Sequence, residues 1–161
     1  MPGRRLERMT FDDWRAEYPT LVRILEDRMR GKETCSDVID SYDEVARSIW
    51  DFTARLLGDG GTRAVIARSI QLAATDTPLL QRVKALERKL DFGELREYTA
   101  RLGCGAPEVL DALLRLGVMI FHTLHDLSDD AITGPLLSRL EENPLPSRAS
   151  YGHVPSPSDT A

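Results

Sequence analysis

Cysteine is scarce in this sequence. The 161 residues hold two, Cys35 and Cys104, too few to staple a small secreted domain and too far apart in sequence for a thiolate metal cage. A reducing, cytoplasmic setting is the simplest expectation. Long apolar runs are missing too. The longest covers residues 116–121, whereas a membrane-crossing helix needs roughly 20 apolar residues. The first nine residues carry arginines and Glu7 with no apolar stretch behind them, which is not the pattern of a secretory signal. Bulk positive charge is also lacking. The formal net charge is −5, which argues against binding nucleic acid or an anionic membrane by attraction to phosphate. Lysine is rare, 3 against 18 arginines. The arginines alternate with Asp and Glu, so they read as the codon usage of a GC-rich genome on a solvated mixed-charge surface.

What is present is helical periodicity; strand signals are weak. Thr10 is a candidate N-cap, followed by Asp12 and Asp13 where the positive end of a helix dipole favours them. Pro19 either kinks this first helix or splits it, and Gly31 stops it. A second helix capped by Ser36 shows a seam of Val38, Tyr42, Val45, Ile49, Phe52 and Leu56 and ends at Gly58. Thr62 is expected to cap a third helix reaching Ala74. Thr77-Pro78 opens a fourth, to about Leu90, with Leu79, Val83, Leu86 and Leu90 as its seam. A shorter helix holds Leu95, Tyr98 and Leu102 and stops at Gly103. The most apolar helix opens at Pro107 and runs past Leu124, hydrophobic over more than half its circumference and therefore central. Ser128-Asp129-Asp130 caps a last helix with Leu136, Leu137 and Leu140.

Residues 10–142 are therefore expected to form one all-α domain, a compact bundle of six or seven helices around a central apolar helix. It should be preceded by a flexible segment (1–9) and followed by a tail (143–161) rich in Pro and Ser, too poor in apolar residues to offset its ordering entropy.

The stretch 57–137 resembles a family of small bacterial helical proteins with no assigned activity. The matching residues are Gly61, Arg68, Leu72-Ala73 and Pro78, the leucine-rich stretch 110–124, and Ala131-Ile132-Thr133 with Leu136-Leu137. Pro135 stands where that pattern has a basic residue. The resemblance implies a helical fold and carries no activity.

Several groups of residues invite a chemical reading. His122 and His125 form His-x-x-His with Asp126, Asp129 and Asp130 close behind, a spacing that could hold a metal or flank a haem. As polar residues near a helix C-terminus they need no ligand. Gly58-Asp59-Gly60-Gly61-Thr62-Arg63 could offer backbone N–H groups to an anion, but lacks the lysine and preceding strand of a phosphate loop. Cys104 sits between glycines with no base nearby in sequence. Glu33, Asp37, Asp40, Asp43 and Glu44 read as a charged surface. Trp14, Tyr18, Trp50 and Phe52 are either an interaction surface or packing between the first two helices.

With no nucleophile–base pair and no nucleotide loop, the sequence points to a non-enzymatic cytoplasmic module without a cofactor. It would regulate or bind another protein, or itself, through a helix face, with Trp14, Tyr18 and Trp50 as candidate contacts and the first helix as the element expected to dock. The alternative is a sensor of a small ligand, metal or haem near His122 and His125.

Overall fold

The computed structural model describes residues 11–103 and 105–142. Thr10, the flexible segment expected at 1–9, Cys104 and the tail 143–161 lie outside the described residues. Six α-helices appear among them: α1 (Phe11–Glu17), α2 (Pro19–Met29), α3 (Cys35–Ala74), α4 (Gly93–Leu102), α5 (Ala106–Ser128) and α6 (Asp130–Glu142). Between α3 and α4 lie a 3-10 turn (Pro78–Arg82) and a small antiparallel hairpin, β1 (Lys84–Ala85) and β2 (Leu90–Asp91). The all-α bundle expected from periodicity is what the chain forms.

The central pair is α3 and α5. Val109, Leu113, Leu116 and Leu124 of α5 are fully buried, and Ile39, Tyr42, Ile49 and Ile66 of α3 face the same core. No helix among the described residues is long and apolar enough to cross a membrane, so the apolarity of α5 is satisfied by its neighbours.

Helix α3 is not straight. Gly58 sits at φ 77°, ψ 168°, a conformation open to glycine but strained for residues with a Cβ. The bend is enforced by packing at both ends. A methyl group added at Gly117 of α5 would lie 2.7 Å from Leu25 Cδ1 and 3.4 Å from the Tyr42 hydroxyl, so the early limb of α3 and α2 both press against that glycine. On the later limb the Ser69 and Thr123 hydroxyls hydrogen-bond at 3.0 Å. Along a straight helix Tyr42 and Ser69 would be about 40 Å apart, yet their partners on α5 are separated by only ~9 Å. Both limbs therefore fold back onto α5, and Gly58 is the apex of a V.

Several expected boundaries are corrected by this packing. Pro19 splits the first helix rather than kinking it: Tyr18 is non-helical and Pro19 takes the first position of α2, where its missing N–H costs nothing. The cap of α3 is Thr34, whose Oγ1 accepts from the Asp37 N–H at 3.1 Å, and not Ser36, whose hydroxyl accepts from Arg96. Helix resumes directly after Gly58, so Thr62 is no cap; buried inside α3, its hydroxyl donates back to the Gly58 carbonyl at 2.8 Å. The helix expected over 78–90 is replaced by the 3-10 turn and hairpin. A helix carried on to Phe92 would set that ring roughly 200° around the axis from Leu90, facing away from the core. Reversing the chain buries Leu80, Val83, Leu90 and Phe92 together, with Phe92 edge-on to the Tyr42 ring at 6.0 Å. Burial of the Phe92 ring, worth roughly 1.5–3 kcal/mol, outweighs local helix propensity.

The apex yields a paired prediction. Gly58→Ala forces a Cβ into the left-handed region and is expected to lower stability by about 1–3 kcal/mol. Gly60→Ala, two residues on, falls at a helical position with nothing within 4 Å of the new methyl, and is expected to raise stability by about 0.5–1 kcal/mol. Urea unfolding of the two variants gives the two signs; shifts of the same sign would contradict the conformation at Gly58.

Candidate functional site

The residues singled out in the sequence do not converge. Trp14 lies on α1, and its side chain is not among those described. Trp50 is in the core at 2% exposure, among the largest fully buried side chains. It packs inside rather than offering a docking contact, in the same core as Tyr42 and Ile49 of the early limb of α3. Tyr18, half-buried at the α1–α2 break, does reach a functional candidate: its hydroxyl lies 3.3 Å from His122 Nδ1. The other ring nitrogen, Nε2, faces Asp126 Oδ2 at 3.4 Å. With the proton on Nε2 beside the carboxylate, Nδ1 is the acceptor and the tyrosine hydroxyl donates. The three groups tie the α1–α2 break to α5, over 100 residues away in sequence.

His125 is engaged separately, its Nδ1 3.5 Å from Asp130 Oδ1 across the break at Asp129, which has φ 51°. The two imidazoles thus address different carboxylates. Among the described residues no group of three or more His, Cys, Asp or Glu side chains converges as a metal site would require.

The acidic cluster disperses in the same way. Asp40 pairs with Arg96 of α4 at 2.7 Å, Asp43 with Arg47 at 3.1 Å, and Glu44 faces the Arg28 guanidinium. Cys35, in the first turn of α3, has its thiol pKa pushed up, first by burial and then by the Glu108 carboxylate. Both causes suppress the thiolate that nucleophilic chemistry requires. Between α1 and α2 runs an open groove floored by Ala16, Pro19 and Val22 and bridged by the Arg15–Glu26 ion pair.

The feature that periodicity missed is the apex of α3. Leu56, expected in the buried seam, is 56% exposed, and its neighbour Leu57 is 36% exposed. All of residues 55–60 are exposed. On a helix this means that every face meets solvent, so the apex stands clear of the bundle. Leu86, also expected in a seam, is 38% exposed at the hairpin turn, which Leu86 N–H closes by donating to the Lys89 carbonyl. Arg88 Nε pairs with Asp59 Oδ2 at 3.3 Å, which sets the hairpin turn beside the apex. The sequence signal was available: two adjacent leucines abutting Gly-Asp-Gly-Gly, where only one of them can follow a buried seam.

No protein-family model, no curated protein and no solved structure matches this chain.

Two predictions follow from these geometries. Tyr18→Phe removes the hydroxyl that meets His122 and is expected to cost about 0.5–1.5 kcal/mol in urea unfolding; an unchanged midpoint would mean the bond contributes nothing. In a Cys104→Ser background, Cys35 is expected to react with iodoacetamide at pH 7 more slowly than a free thiol, because a raised pKa leaves less thiolate. Glu108→Gln should accelerate it. A rate at or above that of free cysteine would contradict the assigned environment.

Proposed function

We propose that this chain is a non-enzymatic, cytoplasmic interaction module with a regulatory role, and that its partner is a protein that docks on the apex of α3. The observation that carries this reading is the projecting apex itself, where Leu56 and Leu57 stand outside the bundle, with Leu86 exposed on the hairpin turn that the Arg88–Asp59 pair links to it. Single exposed leucines are ordinary on any surface. Two adjacent ones on a helix exposed on every face, with a third on a turn pinned alongside by an ion pair, form an apolar surface rimmed by charge, as docking sites do. The reading gains from the chemistry of the remaining candidates: the thiol of Cys35 is held protonated, and each histidine is spent on its own carboxylate.

A photo-crosslinking amino acid placed at Leu86 in the source cell tests it. A discrete adduct is expected there, lost in the Leu56→Glu variant and absent when the crosslinker replaces Gln71, which is exposed on the later limb of α3. No adduct at Leu86, or the same adducts at Gln71, would overturn the proposal.

A further inference from the structure

The apex carries charge opposite to that of the whole chain. Around the three leucines, residues 55–63 and 84–89 hold Arg55, Arg63, Lys84, Arg88 and Lys89 against Asp59 and Glu87, all of them exposed. Asp59 is occupied by Arg88. Among the described residues Arg55, Arg63, Lys84 and Lys89 have no ion-pair partner. A chain of net charge −5 thus gathers exposed basic side chains beside three of its exposed leucines.

Resting on the reading of the apex as a docking surface, we infer that its partner is an acidic amphipathic segment, with leucine-type side chains against Leu56, Leu57 and Leu86 and carboxylates against Arg55, Arg63 and Lys89. Charge selects this occupant over a second copy. Two copies meeting apex to apex would bring the same basic groups together, and like charges across an interface disfavour association. Shape selects it over a membrane. Surface-bound helices lay a long apolar face into the lipid boundary, whereas here three leucines project from a folded apex that also carries Asp59 and Glu87. Each exposed ion pair adds little affinity by itself. Their joint contribution is to steer the acidic partner in and reject basic ones, an effect that weakens as salt screens it.

The test uses the full chain and a fluorescein-labelled helical peptide of about five turns, with leucines along one face and glutamates elsewhere, beside a twin carrying lysine for every glutamate. Fluorescence anisotropy is expected to show the glutamate peptide binding at least tenfold more tightly than the lysine peptide, with affinity falling as salt is raised. Leu56→Asp should abolish binding, and Arg55→Glu with Lys89→Glu should weaken it at least tenfold. Arg101→Glu, on α4 beyond the Arg96–Asp40 contact and so remote from the apex, should leave it unchanged. All these positions are exposed, so an unchanged thermal midpoint separates lost binding from lost folding. Four results would overturn the inference: lysine-peptide binding as tight as glutamate-peptide binding, no binding of either, capture instead by vesicles of phosphatidylserine and phosphatidylcholine, or light scattering that reports a dimer dissociated by Leu56→Asp. Any of these alongside a surviving Leu86 crosslink to another protein leaves the docking surface in place and removes only its acidic specificity. Loss of the crosslink as well removes both.

Discussion

The structure depends on α5 being too apolar for one neighbour to cover. Its middle is buried on nearly every side, from Ala112 to Phe121, so the chain must deliver several helical faces to one rod. A single helix, α3, supplies two of them by doubling back at Gly58. Gly117 allows the close approach at one limb, and the Ser69–Thr123 hydroxyl pair fixes the other. The bend needs a backbone conformation that glycine alone adopts without strain, and the glycines at 60 and 61 soften the turn of helix that follows.

The V places cost and consequence at opposite ends. In the interior, the early limb carries Tyr42, Trp50 and Thr53 into the core, where the Tyr42 hydroxyl, Trp50 Nε1 and Thr53 Oγ1 have no hydrogen-bond partner among the described residues. Burying such atoms works against folding by about 1–3 kcal/mol each, so the apolar area of the rings must outweigh it. Burial also pushes the Tyr42 phenol far above its ordinary pKa, and it stays neutral throughout the physiological range. At the other end, an apex is by geometry the part of a bent helix farthest from what it packs against. Side chains there lose their partners, and Leu56 and Leu57 are left in water.

The α1–α2 break shows how a weakly held element is tied down. Helix α1 has seven residues, too few to be stable alone. Among the described residues its links to the body include the Arg15–Glu26 pair and, at the break, the Tyr18 hydroxyl against His122. A polar bond to a histidine on the central helix joins the end of this short segment to the core. The same geometry explains why the His-x-x-His pattern does not act as a pair: His122 is turned to Tyr18 and Asp126, while His125 is carried past the end of α5 to Asp130.

Periodicity, capping residues and composition determined the all-α class, the central apolar helix, stops at Gly31 and Gly103 and an interruption at Gly58, because these follow from backbone geometry and from the burial of one helix face. Local signals were blind wherever the deciding contact is distant in sequence. The four-residue spacing of Leu79, Val83, Leu86 and Leu90 reads as a helix until Tyr42 and the core compete for Leu80 and Phe92. Leu56 reads as core until the bend carries it outward, and Trp50 reads as a candidate contact or as packing between the first two helices until the fold buries it. Which leucines are buried, which histidine meets which carboxylate, and where basic charge gathers beside exposed apolar groups were settled only by tertiary packing. A side chain's period records which face it shares with its neighbours, and only the fold decides whether that face meets protein or water.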